Sequence, residues 1–482
     1  INSMGSQRVA IGINCGQDTQ GSNSIAIGYQ AGQTNQPINS IAIGYQAGNS
    51  SQQERSVAIG FVAGSINQNS LAIAIGDSAG KANQQGNAVA IGTNAGLGGQ
   101  ETCSIAIGLD AAQQGQKSSA IAIGREAGFQ SQQYSGIAIG TKAGRNSQGK
   151  GAIAIGAEWY DGSSTYGAPG YCLQGINSIA IGTSAGETYQ GQFSIAIGFN
   201  AGALTQQSNA IAIGTRAGLN GQACYSLAIG HEAGRDGSQE GTIALGYQAG
   251  SISQSIFSIA VGYLSGKQQG PDCVAIGSEA GSAGQSGYSV AVGYQAASNG
   301  QDVYAIAIGS EAGKNFQSSN TIAIGEKAGY HSQCTRAIAI GKETGYTFQG
   351  TNSIAIGNFA GQVNQPQNSI VLNASGLTLN AATQSAFYVN PIRNAKTSGK
   401  IVYYDPATSE VIYDASGGTA SIPSGTNWAD YLYWDSSNNT WAVGDPNITL
   451  GGFAGQTNQG SYAIALGYQA GNSGQKTGSI AI

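Results

Sequence analysis

The chain has 482 residues, of which 77 are Gly, 9% are charged and one is Met. So few long apolar side chains cannot fill one large round core. A net charge of −5 without a basic stripe argues against nucleic acid as a partner, and no run approaches the ~20 apolar residues that span a bilayer.

The chain opens with Ile1-Asn2-Ser3 and closes with Ser479-Ile480-Ala481-Ile482, inside its own motif, and so reads as a piece of a longer polypeptide. Taking the Gly that ends each Ile-Ala-Ile-Gly as an anchor, Gly12, Gly28, Gly44 and their successors recur every 16 residues up to Gly156. The series resumes from Gly182 to Gly262, takes one step of 15 to Gly277, runs to Gly357, and returns at Gly451 and Gly467. A fixed short period of this kind defines a solenoid.

Within the repeat, large and small apolar residues alternate with period two, as in Ile25-Ala26-Ile27, which predicts a short strand. The expected fold class is all-β, a parallel β-solenoid with one coil per sixteen residues. Ile is expected to face the interior and the Ser24/Ala26 side to face away. The anchor Gly and the following Ala-Gly pair, such as Ala31-Gly32, predict corners. One coil has too small a core to stand alone, so stacking must hold the array together.

Gln recurs eight residues after most anchors: Gln20, Gln36, Gln52, Gln68, Gln84 and Gln100 begin the column. Such amides can form a ladder along the axis, or each can satisfy the backbone of its own turn. The column slips at Ser238, with Gln239 one residue later.

The string Asn-Ser-Ile-Ala-Ile-Gly at Asn23–Gly28, Asn39–Gly44, Asn177–Gly182 and Asn352–Gly357 resembles the head repeat of YadA-type trimeric adhesins, a left-handed parallel β-roll. The resemblance implies a homo-oligomer, with three chains side by side, and extracellular, cell-surface or virion-surface location. The uncharged Ser/Ala side is the face expected to bring the chains together.

Two interruptions stand out. Between Gly156 and Gly182 the expected outward loop, 157–172, carries Trp159, Tyr160, Tyr166 and Tyr171, a candidate binding loop. Residues 374–447 are expected to form a small all-β insert between solenoid segments 1–373 and 448–482. Its Phe387–Arg393 and Val402–Pro406 segments resemble fibre proteins of phages and large DNA viruses. It reads as two hairpins, with Trp428, Tyr431, Tyr433, Trp434 and Trp441 as candidate surface residues.

Catalysis has little support. The two His residues, His231 and His331, lie coils apart, and no Gly-rich string continues into a phosphate loop. No metal site or cofactor is expected, and the six cysteines sit too far apart in the repeat for a disulfide framework. The expected function is a structural fibre segment, adhesive through its loops toward a host protein or glycan. The alternative is a binding module, for a surface, a glycan or ice, using the flat face or the aromatic loops.

Overall fold

The computed structural model describes residues 7–160, 165–393, 402–413, 432–435, 440–443 and 447–482. Among them there is no α-helix. The chain divides into two units, residues 1–391 and 392–482.

The first unit is a parallel β-solenoid. Its main sheet has 24 strands, one per coil, with equivalent residues in register: Ile25 pairs with Ile41 and Ile41 with Val57, while Ala26, Ala42 and Ala58 follow alongside. A second ladder, offset by half a coil, aligns Gln114-Gly115-Gln116 with Gln130-Ser131-Gln132 and their successors. The backbone explains this regularity. In a typical coil, Ile41 N donates to Ser56 O at 3.0 Å, Gly44 N to Ile27 O at 2.8 Å and Gly48 N to Ala63 O at 2.9 Å. These partners lie in neighbouring coils, so a coil's peptide groups are satisfied only by stacking.

The structure reverses the facing expected from the sequence. Ala26, Ala42 and Ala58 are fully buried, whereas Ile25 and Ile27 are only half-buried. The interior of each coil contains the Ala between the two Ile, the Ala of the Ala-Gly corner, the Ser before the strand and the Gln, as in Ala42, Ala47, Ser40 and Gln52. The two sheets lie too close for Ile to fit between them. Small residues line the inside, and the β-branched residues are turned out. The Ser hydroxyl is satisfied locally: Ser56 Oγ donates to Gln53 O at 2.6 Å and Ser40 Oγ to Pro37 O at 2.8 Å.

The anchor Gly is required twice over. Its φ lies near +130°, as at Gly124 with +127°, a region closed to side chains. A Cβ at Gly124 would also stand 2.6 Å from Gly140 O of the next coil. The step of 15 residues is absorbed between Gly266 and Gln269, leaving Ile259 paired with Val274 and Ala260 with Ala275.

The main ladder continues beyond Asn373 by one rung, Phe387–Asn390, which pairs with Ile370–Asn373. Here the interior residue grows from Ala355 to Val371 to Tyr388. The Tyr388 ring packs with Leu379 against the last Ala cluster, and its hydroxyl accepts from Ala382 N and Thr383 N, both at 3.1 Å. The terminal coils therefore depart from the repeat as capping coils do.

In the second unit, Val402–Asp405 pairs antiparallel with Glu410–Tyr413, and Leu432–Asp435 with Thr440–Val443. Parallel coil pairing returns with Ile448, Ile464 and Ile480 in register.

The Gly124→Ala variant is expected to lose about 2 kcal/mol or more of local stability through backbone clash and strain. Gly115→Ala has a φ of +79° but open space at its Cβ, so it is expected to lose about 1 kcal/mol. Hydrogen exchange across the neighbouring coils reads both.

Candidate functional site: the buried amide ladder, the outer Ile face and the aromatic excursions

Most column Gln fold back toward a Gly four residues before them; Ala112 and Ala297 take that place before Gln116 and Gln301. A Cβ on Gly64 would meet Gln68 Cδ at 2.8 Å, and one on Gly96 would meet Gln100 Cδ at 2.6 Å. The Ala-Gly corner is therefore fixed by the amide lying over it as well as by φ. Gln68, Gln84 and Gln100 are 0–1% exposed and count among the largest fully buried side chains. A buried amide needs partners on all sides, and these have them. Gln84 Nε2 donates to Ile73 O of its own coil at 2.8 Å, to Ala88 O at 3.2 Å and to Gln100 Oε1 at 3.1 Å. The amides thus satisfy their own turn and also bond along the axis.

The axial bonds run unbroken from Gln52 to Gln148. They run again from Gln190 to Gln222 and from Gln254 to Gln365. Gln36 stands outside the first run: its Nε2 donates to Ile25 O at 2.7 Å, while Gln20 Nε2 reaches Val9 O at 2.9 Å. Two of the breaks fall at departures from the repeat, whereas the bond missing between Gln36 and Gln52 lies in regular coils and the 15-residue step from Gln254 to Gln269 keeps its bond. After Gln148 the coil carries the ten extra residues, and Gln174 Oε1 and Gln190 Oε1 have no donor. At Ser238 the side chain is too short to reach the next coil, so its hydroxyl turns to Gly234 O at 3.1 Å, and Gln254 Oε1 is left unpaired.

The outer face of the main sheet carries two columns of Ile, Val or Leu. Several are well exposed, among them Ile276 at 40%, Ile308 at 39% and Ile356 at 40%. Beside this face aromatic rings stack from coil to coil: Tyr29 on Tyr45 at 5.2 Å, Tyr45 on Phe61 at 5.0 Å, and Tyr247 on Tyr263 at 5.3 Å.

The extra residues after Gly156 leave the coil as a hairpin, with Trp159 opposite Tyr166 and Tyr160 opposite Thr165. Glu158 N still donates to Thr141 O, and Gly167 O already accepts from Ser184 N, so the excursion is short. Trp159 is 53% and Tyr160 64% exposed. Tyr171 is not in this hairpin. It lies back in the coil, half-buried, with the Arg145 guanidinium 5.7 Å from its ring.

In the second unit the Trp434 and Trp441 rings meet edge to face at 5.6 Å, both exposed. Tyr433 precedes Trp434 in its strand, opposite Ala442, while Trp428 and Tyr431 fall outside the described residues. Among the described residues no cluster of His, Cys, Asp and Glu could hold a metal ion, and the six cysteines are free thiols.

Charges pair between coils. Burial pushes the Glu232 carboxyl up, but the Gln248 amide at 2.8 Å, Arg216 at 3.2 Å and Arg235 at 3.1 Å outweigh it and hold it below the usual carboxylate range.

These features define a tandem-repeat β-solenoid with a polar amide interior and an apolar outer sheet face. Residues 38–63, 190–217 and 287–312 match the family model for the YadA head domain repeat (2 copies). In these three segments the repeats are similar to YadA head repeats, and in that sense adhesin-like. No curated protein matches the chain.

Three substitutions test this site. Gln100→Ala removes two donated bonds and leaves a cavity, so the flanking coils are expected to open about 2–4 kcal/mol more easily. Ser238→Gln restores the missing donor to Gln254 and is expected to slow exchange there. Glu232, with its pKa lowered by folding, contributes stability that is complete above its unfolded pKa and is lost as pH falls through the folded one. Glu232→Gln is accordingly expected to flatten the acid limb of a pH–stability profile.

Proposed function

We propose that this chain is a structural, non-catalytic segment of a surface fibre, assembled side by side with two further copies through the outer Ile face. The observation that carries this reading is the exposure of that face. Parallel sheets are almost always covered on both sides, yet here one side meets the Ala/Gln interior while the Ile, Val and Leu on the other are only half-buried or exposed along the 24 rungs. At about 4.8 Å per rung the two apolar columns form a stripe on the order of 800 Å². Soluble monomers rarely leave more than ~300–600 Å² of contiguous apolar surface uncovered. Closed rotational symmetry would bury the stripe on every copy, and the trimeric habit of YadA-type heads favours three.

The Ser/Ala face, expected from the sequence to join the chains, cannot do so because it lines the inside of each coil. In this reading the aromatic hairpin at Trp159 and Tyr160, and the exposed Trp434 and Trp441, are the points at which the fibre meets a host protein or glycan. Extracellular, cell-surface or virion-surface placement follows from the same reading.

Light scattering of the wild-type chain is expected to give a trimer mass. Ile107→Glu, Ile123→Glu and Ile139→Glu together are expected to give a folded monomer with an unchanged β-sheet spectrum. Ala106→Glu, Ala122→Glu and Ala138→Glu, which place charge inside the coils, are expected to unfold that segment. A wild-type monomer, unaffected by the Ile changes, would overturn the assembly.

A further inference from the structure

The second ladder has an outer face of its own. Its Gln residues point into the coil, so the residues just before and after them face outward, away from the Ile stripe. Across several coils the residue just before the column position is small: Gly221, Gly237, Ser253, Gly284 and Gly300 lie in or near one line, with Gln268 standing between Ser253 and Gly284. The result is a trough along the axis, with hollows of about 610 and 640 Å³ that adjoin at Ser253 and Ser255. Amides and hydroxyls dominate its walls, and among the described residues the charged side chains that line it are those of Glu240 and Asp302.

A further observation shows what the trough suits. Aromatic rings in the same column bracket it: Tyr189, 45% exposed, precedes it, and Phe316, 71% exposed, closes it. A methyl built on Gly300 would stand 3.7 Å from the Phe316 ring, which therefore lies along the trough floor.

We infer that this trough binds a linear, neutral oligosaccharide lying along the solenoid axis. Sugar hydroxyls match a wall of amides and serines, and an uncharged lining costs a neutral ligand little desolvation. Exposed rings at the ends offer apolar faces on which a pyranose can stack. The coil spacing is close to the length of one sugar unit, so successive units meet equivalent side chains. An anionic polymer would meet no cation in the lining of the trough and would be repelled by Glu240 and Asp302. The proposal rests on the fibre reading in one respect: the Ile stripe, and not this face, is the side that other copies cover.

The test uses the full chain and four hexamers: β-1,4-linked glucose, N-acetylglucosamine and mannose, and anionic galacturonate. Calorimetry is expected to detect binding of at least one neutral hexamer, weakened about tenfold by Phe316→Ala and abolished by Ser286→Arg, with unchanged thermal melts. Binding of none, binding of galacturonate alone, or binding indifferent to both substitutions would overturn the inference. Scattering on the same samples reads assembly separately, so a monomer that binds sugar would sink the fibre reading and leave this one standing.

Discussion

The distance between the two sheets governs this structure. It is set by Ala against Ala, and the space that remains is filled by one folded-back Gln per coil. A wider roll could have held Ile inside and met the usual hydrophobic logic, with branched hydrocarbon supplying the burial. At this width the interior admits Ala, Ser and the flat edge of an amide. Cohesion then passes to hydrogen bonds, which run along the axis through both backbone ladders and the Gln column. Each amide sits where water cannot reach, so an axial bond is strong when made and costly when missing. That asymmetry accounts for the narrow tolerance of the column. One Ser at position 238 is enough to leave Gln254 Oε1 unpaired, and a coil with ten extra residues interrupts the axial bonds on both sides.

The same narrowness explains the outside. Residues that alternate along a strand must go to one face or the other. With Ala committed to the inside, both Ile of each Ile-Ala-Ile are committed to the outside. β-branched side chains suit the strand backbone on either face, so local propensity is satisfied while hydrophobic burial is deferred to whatever lies across the sheet. A coil is incomplete in two directions: along the axis, where its peptide groups need the next coil, and across the sheet, where its Ile needs another apolar surface. The first need is met within the chain.

Much of this was legible in the sequence, because register is a property of spacing. The sixteen-residue period, the parallel pairing of equivalent residues and the hairpins at Val402–Tyr413 and Leu432–Val443 follow from where Gly, Ile and turn residues recur. Facing was not legible. Alternation shows that Ile and Ala lie on opposite sides of a strand but not which side is inside, and the usual preference for large apolar residues in a core points the wrong way in a roll this thin. The decisive signal was present in the Ala-Gly-x-x-x-Gln spacing, since a Gly four residues before an invariant-looking amide is what a folded-back side chain needs. It is a packing signal, and periodicity alone does not expose it. Nor could the sequence show that Phe387–Asn390 forms a further rung, because that coil trades its interior Ala for Tyr388 and so loses the motif by which the others are found.

The candidate sites divide along the same line. Trp159 and Tyr160 project because extra residues have no place in a coil whose peptide groups are already paired above and below. That follows from counting. Tyr171 sits in the same stretch of sequence but has returned to the coil, where its ring rests against Arg145. The point of re-entry is set by backbone bonds at Gly167 and Pro169, which spacing cannot locate. A solenoid of this type therefore assigns position by register: a residue inside the sixteen-residue frame is held by its neighbours above and below, and a residue outside it is not. By that criterion the hairpin at Trp159 lies outside the frame, whereas the small residues of the second ladder belong to it, so any ligand they hold must follow the axis.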